Sequence, residues 1–116
     1  MPKAEFWIAR PTHYWMLDSK FDGSFNFGKI YEDAGLDGLL LFDTQNLAPE
    51  VYTSLTAIAL QTSRIKLGTG VTNPKTRHAA VTASAIATLD QLSEGRTYLG
   101  LGRGDSALAH LSLIHI

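Results

Sequence analysis

The sequence has 116 residues, 45% of them hydrophobic and 18% charged, as expected for one globular domain with a single core. Its formal net charge of −1 lacks the basic surplus of a nucleic-acid binder, and no apolar run is long enough to span a bilayer. The absence of cysteine excludes disulfides, thiolate metal sites and cysteine nucleophiles. Residues 1–5 lack the apolar core of a signal peptide, so we expect a cytoplasmic protein that binds neither nucleic acid nor membranes.

Four short apolar runs have the length of β-strands and recur at nearly regular spacing. They span residues 6–9, 38–42, 65–71 and 97–101, and turn-forming or charged residues bound each of them. The run at 38–42 is apolar without alternation, which is typical of a strand buried on both faces of a parallel sheet.

Three segments between these runs have the apolar period of a helix. They span residues 24–34, 49–63 and 79–92. Their predicted buried stripes are Phe27, Ile30, Tyr31 and Ala34; Val51, Leu55, Ile58 and Ala59; and Val81, Ala85, Leu89 and Leu92. Strands that alternate with helices in units of about 30 residues predict right-handed crossovers and a parallel sheet. This pattern fits either an open doubly wound sheet or a (β/α)8 barrel.

Polar residues follow the first two predicted strands. Asp43 ends the second strand, and a carboxylate there faces the edge where parallel sheets build their sites; capping of the loop is the alternative. The loop at 10–23 lies at the same edge and contains His13, Tyr14, Trp15 and Asp18. These aromatic side chains either contribute to a site or cap the core.

The third predicted strand ends in a pair of glycines, Gly68 and Gly70, which lie on one face. They either let a flat group approach the backbone or permit tight interior packing. A turn at Asn73-Pro74 follows, and then Arg77 and His78, which either hold an anionic group or cap the third helix.

A second glycine series, Gly100, Gly102 and Gly104, follows the fourth predicted strand. With Ala107 the last two satisfy a dinucleotide-binding pattern only weakly, because that pattern normally follows the first strand of its fold. Asp105 and Ser106 either contact a ligand or cap a helix. The four histidines lack metal-ligand spacing, and no serine sits in a nucleophile elbow, so we predict no metal site and name no catalytic residue.

Three blocks of this sequence resemble one known family. The block at 68–78, the block at 83–90 with Ser93, Gly95 and Arg96, and the block at 100–108 are similar to the luciferase-like monooxygenase family. Within it the similarity is greatest to the coenzyme F420-dependent, methylenetetrahydromethanopterin reductase-like branch. The resemblance implies an α/β fold that is the N-terminal half of a (β/α)8 TIM barrel, with four parallel strands alternating with three helices.

The resemblance also implies a cofactor site. Gly70-Val71 would be a non-proline cis peptide behind the central ring of the cofactor, and Asp43, Thr72 and Asp105 would lie near the cofactor head. The cofactor would be coenzyme F420 or FMN, used for hydride transfer to or from a small organic substrate or for its monooxygenation. We further expect a homo-oligomer for the full-length protein.

The sequence also leaves two alternative functions to consider, and it suggests a domain boundary. The alternatives are an NAD(P)-dependent dehydrogenase on a doubly wound sheet and a non-catalytic flavin-binding relative. We expect residues 1–110 to be a partial barrel domain, inactive by itself, whose inner face includes Leu39, Leu41, Leu99 and Leu101. Residues 111–116 resemble the translation of a sequencing adapter and are excluded from the fold, the alternative being a natural apolar end.

Overall fold

The computed structural model describes residues 3–13 and 23–104. Within them four strands alternate with three helices, as predicted: β1 (Trp7–Arg10), α1 (Phe27–Asp33), β2 (Gly38–Leu41), α2 (Val51–Gln61), β3 (Lys66–Thr69), α3 (Ala79–Leu92) and β4 (Thr97–Tyr98). Tyr14, Trp15, Asp18, Asp105, Ser106 and the tail at 111–116 lie outside the described residues. No helix in the described ranges is long and apolar enough to cross a membrane.

The four strands form one parallel sheet in the order β1-β2-β3-β4. A doubly wound sheet reverses its strand order at a switch point, whereas a barrel adds each strand beside the preceding one. Right-handed crossovers that all step in the same direction place α1, α2 and α3 on one face of the sheet. The architecture is therefore part of a (β/α)8 barrel, and the strand order of a doubly wound sheet does not occur in the described chain.

Strands β3 and β4 end earlier than the sequence predicts because a side chain interrupts their ladder. The Thr69 hydroxyl donates to the Gly100 carbonyl at 2.7 Å and accepts from the Gly100 N–H at 2.9 Å. The pairing resumes beyond it, where the Thr72 N–H donates to the same carbonyl at 2.8 Å and Thr72 bridges Leu101. The two chain segments thus stay side by side up to the region of the glycine series.

The apolar core lies between the sheet and its helices. Leu39, Leu41 and Leu67 are fully buried in one cluster with Leu55 and Ile58 of α2. The expectation that Leu39 and Leu41 line the inner face is therefore wrong. Successive side chains of a strand point to opposite faces, and a run of three leucines does not reveal which face the helices cover.

Two predicted helical stripes are also only partly correct. In α1 the side chain of Ile30 is 57% exposed, and Gly28 and Glu32 are buried instead. A Cβ on Gly28 would overlap the Ile58 side chain, so α1 turns its glycine toward α2. In α3 only Leu89 of the stripe is fully buried, and Val81 is 54% exposed. Among the described elements α2 is the main helical neighbour of α3, so much of the predicted stripe has no helix packed against it.

Two charged side chains tie the loop between α2 and β3 to its surroundings. Glu32 accepts the N–H groups of Ser63, Arg64 and Ile65 at 3.0, 2.7 and 2.9 Å. Burial raises the pKa of Glu32, but these three bonds and Lys29 outweigh it and lower the pKa to about 2. On the other side, Arg96 donates to several carbonyl groups, those of Ala59, Thr62, Ile65 and Ser93. Both contacts lie at the amino ends of the strands, opposite the edge that carries the site.

Candidate active site

Four buried polar side chains lie at the edge of the sheet where the strands end. Thr12 follows β1, Asp43 follows β2, and Thr72 and Asn73 follow β3; none is more than 4% exposed. Buried polar groups are costly unless they are hydrogen-bonded, so their concentration at one edge marks it as a candidate site. This is also the edge at which parallel sheets usually bind ligands.

Asp43 is the centre of a hydrogen-bond network at this edge. Its Oδ2 accepts from Thr72 Oγ1 at 2.5 Å and from Arg77 Nη1 at 2.7 Å. Its Oδ1 accepts from Gln45 Nε2 at 2.6 Å and from Arg77 Nη2 at 3.3 Å. A carboxylate offers about four lone-pair positions, so these four bonds fill its capacity. Asp43 therefore does more than cap its loop, because two of its partners come from the segment that follows β3.

Arg77 joins this network to helix α2. Its Nη2 also donates to Glu50 Oε2, and its guanidinium carbon lies 4.8 Å from the centre of the Tyr52 ring. Burial lowers the pKa of Arg77, but the bonds to Asp43 and Glu50 outweigh it, and the pKa is raised. The neighbouring His78 caps α3, since its Nδ1 accepts the Ala80 N–H at 3.1 Å. The sequence left both roles undecided; the structure gives the cap to His78 and an ion pair with two carboxylates to Arg77.

Glu50 and Tyr52 are parts of this network that the sequence analysis missed. Glu50 is the N-cap of α2, and its Oε1 accepts from the N–H and hydroxyl of Thr53 at 2.7 and 2.9 Å. Burial raises the pKa of Glu50, but the bonds from Thr53 and Arg77 prevail and lower it. Burial raises the pKa of the Tyr52 hydroxyl, although an interaction with Thr72 opposes the change. A carboxylate in the first turn of the predicted helix was the available signal for Glu50, because the N-terminal end of a helix favours negative charge; nothing local signalled Tyr52.

The glycines in and directly after β3 are closely packed within the protein. A Cβ on Gly68 would overlap the carbonyl oxygen of Tyr98, and one on Gly70 would lie 2.8 Å from Leu40 Cβ. The structure shows tight packing at both glycines, and the approach of a flat group to the Gly70 backbone stays a prediction. The peptide bond between Gly70 and Val71 is cis, as the resemblance implies.

Val71 presents an apolar surface beside this network. Its side chain is 46% exposed and packs against the glycine series, since a Cβ on Gly100 or Gly102 would lie 3.1 or 3.0 Å from its methyl groups. The exposed side chains of Leu99 and Leu101 belong to the same strand ends. A half-exposed valine flanked by glycine backbone can support one face of a flat ring.

Asn73 supplies an unused hydrogen-bond donor next to this surface. Its Oδ1 accepts the N–H groups of Lys75 and Thr76 at 2.9 and 3.0 Å, which closes the turn predicted at Asn73-Pro74. Its Nδ2 and the Thr12 hydroxyl are buried without a partner within the described residues. Leaving a buried donor unpaired costs about 1–3 kcal/mol, so such a group is suited to bind a polar atom of a ligand. The described residues contain no group of three or more acidic, histidine or cysteine side chains that could hold a metal ion.

This chain is similar in sequence to known proteins. A profile described as luciferase-like monooxygenase matches residues 12–111. The chain is similar to 5,10-methylenetetrahydromethanopterin reductase of Methanolobus tindarius, with 49% identity over 82 residues, which cover 71% of this chain and 25% of that protein. The chain spans about a quarter of the length of the curated relatives it matches.

Two solved structures have the same fold. The coenzyme F420-dependent tetrahydromethanopterin reductase of Methanopyrus kandleri superposes with a TM-score of 0.80 at 34% identity, covering 97% of this chain and 31% of that one. The oxygenating constituent of 3,6-diketocamphane monooxygenase of Pseudomonas putida, in complex with FMN, superposes with a TM-score of 0.74 at 24% identity, covering 92% and 32%. The second likeness is evidence for the fold alone.

Proposed function

Because the chain belongs to the luciferase-like monooxygenase family, we propose that it forms the cofactor-binding edge of an oxidoreductase that uses coenzyme F420 or FMN. The reaction is hydride transfer between the cofactor and a small organic substrate, or monooxygenation of that substrate. The proposal is supported by the half-exposed side chain of Val71 and, two residues further on, the buried and unpartnered Nδ2 of Asn73, both in the segment that follows β3.

The residues at this edge fit a flat, polar-rimmed ring system. Val71 and the Gly70 backbone would hold one face of the ring, and the Asn73 Nδ2 would be available as a donor to a polar atom of the cofactor. Thr72 and Asp43 hold this segment in place through their own bond. Asp105, which the resemblance adds to the same set, lies outside the described residues.

This assignment defines what the cofactor and the protein each contribute to the reaction. When bound, the cofactor supplies the hydride chemistry, and the protein contributes orientation and shielding from water. The exposed apolar side chains of Val71, Leu99 and Leu101 exclude water from the ring face that they cover. The other face stays open to the substrate.

Coenzyme F420 is the first candidate cofactor. The Methanopyrus kandleri reductase, at 34% identity, is described as dependent on it. FMN is the second candidate, because the Pseudomonas putida neighbour shares the fold and binds FMN.

Equilibrium titration of the complete protein with F420 and with FMN tests this proposal. We expect one of the two to bind with a dissociation constant in about the micromolar range, with a shift of its absorption spectrum, and to be reduced or oxidised when a substrate is added. A Val71→Asp variant places a charge against the ring and raises that dissociation constant at least about tenfold. A wild-type protein that binds neither cofactor would remove the proposal.

A further inference from the structure

We propose that Arg77 is a positioning residue that fixes the cofactor-bearing segment, and that it binds no anionic group of cofactor or substrate. This inference rests on the proposed function, since it assigns a role at the same edge. A guanidinium near a candidate site would ordinarily be interpreted as an anion binder, because its planar donors match phosphate and carboxylate groups. Three observations argue against that interpretation here.

Four of the five N–H donors of Arg77 are already in use. Nη1 donates to Asp43 Oδ2 at 2.7 Å and lies 3.4 Å from Thr72 Oγ1. Nη2 donates to Asp43 Oδ1 at 3.3 Å and to Glu50. The four N–H groups of the two terminal nitrogens are therefore directed at protein oxygens, and the side chain is only 13% exposed. A phosphate could bind to these four groups only by displacing one of their protein partners.

The charge balance and the stacking also oppose an anion. Two carboxylates and one guanidinium leave the cluster with one net negative charge. An anion brought to this cluster would meet repulsion in a partly buried environment, where charges interact more strongly than in water. The Tyr52 ring lies 4.8 Å from the guanidinium carbon and covers one of its faces.

A continuous path of hydrogen bonds leads from Arg77 to the proposed cofactor surface. Arg77 orients Asp43, and Asp43 accepts the Thr72 hydroxyl at 2.5 Å. Thr72 is flanked by Val71 and Asn73, the two residues proposed to contact the ring. Its backbone N–H and carbonyl are bonded to Gly100 and Gly102 at 2.8 and 2.9 Å. Fixing Thr72 therefore fixes both ring contacts.

Lysine cannot replace arginine in this arrangement. Its ammonium group is a compact charge without a planar fork, so it cannot pair with Asp43 bidentately, reach Glu50 and stack on Tyr52 at the same time. In an Arg77→Lys variant the positive charge stays, but the orientation of Asp43 is lost. The substitution thus separates positioning from charge.

The experiment compares ligands with and without phosphate in the complete protein. The probes are FMN with riboflavin, and F420 with its phosphate-free deazaflavin core. We expect Arg77→Lys to raise the dissociation constants of both members of a pair by about tenfold, so that their ratio stays within about twofold of the wild-type ratio. A loss of affinity confined to the phosphorylated member would show that Arg77 binds the anion. Unchanged affinity for both members would show that it positions nothing.

The matched control is Arg96→Lys. Arg96 is partly buried and, like Arg77, rich in hydrogen bonds, but it lies at the amino ends of the strands. We expect this variant to lower the melting temperature and to leave both dissociation constants within about twofold of wild type. If Arg96→Lys weakened binding as much as Arg77→Lys does, the effect would be a general loss of stability, and the positioning role would be wrong.

A second variant keeps the inference testable if Arg77→Lys fails to fold. Glu50→Gln removes one charged partner of Arg77 at a side chain that is 46% exposed, and it leaves Asp43 intact. We expect a smaller loss of affinity that is again equal for both members of a pair. A Glu50→Gln variant that binds the phosphorylated member selectively more tightly would indicate an anion site freed by the substitution and would overturn the inference. A wild-type protein that binds no member of either pair rejects the proposed function itself, so the two failures are distinguishable.

Discussion

At the scale of single residues, the close contacts of Gly68 lead us to predict that replacing it lowers the stability of the protein. A Cβ at Gly68 would meet a backbone carbonyl, that of Tyr98, whereas a Cβ at Gly28 would meet a methyl group of Ile58. A carbonyl in a strand cannot yield without moving the sheet, but a side chain can change its rotamer. We expect Gly68→Ala to destabilise the complete protein by about 1–3 kcal/mol, and Gly28→Ala, which also gains helix propensity, to cost less.

Denaturant unfolding of both variants checks this expectation. If Gly28→Ala proved the more destabilising, the close approach of β3 and β4 at Gly68 would not be a constraint. Cofactor titration of Gly68→Ala adds a second readout, because its Cβ lies on the strand that leads to Val71.

Some residues of the site could be predicted from the sequence, and others could not. Asp43 and Gly70 were found because a carboxylate after a buried strand and a glycine-rich strand end have local signatures, whereas Val71 and Thr72 were named only through the family resemblance. Their role in cofactor binding stays a prediction. The network around Arg77 has no such signature, because its partners Asp43 and Glu50 lie 34 and 27 positions away. Contacts of that separation depend on the register of neighbouring strands.

At the scale of elements, the contact of α1 with the loop between α2 and β3 predicts a pH dependence of stability. Glu32 has a folded-state pKa of about 2, lowered from an ordinary value of 4.5. A lowered carboxyl pKa contributes stability that is complete above the ordinary value and is lost as the pH falls through the folded value. The contribution of Glu32 is about 3 kcal/mol at neutral pH and disappears between about pH 4.5 and 2.

The measurement is the free energy of unfolding of wild type and Glu32→Gln against pH. We expect the difference between them to be largest above pH 5 and to shrink as the pH falls toward 2. Asp33→Asn is the matched control, because Asp33 lies on the same helix with a side chain that is 63% exposed. A Glu32→Gln difference that is flat across this range, or one no larger than that of Asp33→Asn, would contradict the assignment.

The sequence predicted the helices and strands better than it predicted which of their faces are buried. The alternation of strands and helices follows from period and turn residues, and it was confirmed. The orientation of α1 was missed because Gly28 and Glu32 are not apolar, and only their distant partners explain their burial. Leu39 and Leu41 were assigned to the wrong face because an unbroken leucine run carries no alternation. The early ends of β3 and β4 come from one hydroxyl, that of Thr69.

At the scale of the whole molecule, the open sheet predicts how residues 1–116 behave in isolation. β1 and β4 each lack a second neighbouring strand among the described residues, and exposed strand edges invite pairing with other chains. Phe6, Leu99 and Leu101 are exposed apolar side chains on or next to these strands. We predict that this polypeptide associates and shows no turnover. Light scattering of the purified polypeptide tests this, and a monodisperse, cooperatively unfolding monomer that binds F420 or FMN would contradict it.

We propose that the cofactor ring lies against the strand-end segment that contains Val71 and Asn73. An experimental structure of the complete protein with its bound cofactor, F420 or FMN, tests it most directly. We predict that one face of the ring contacts the Val71 side chain and that the Asn73 Nδ2 lies within hydrogen-bond distance of a ring atom, with the bonds from Arg77 to Asp43 intact. A ring bound elsewhere in the barrel, with Val71 uncovered and the Asn73 amide still unpartnered, would show that this segment is not the cofactor site.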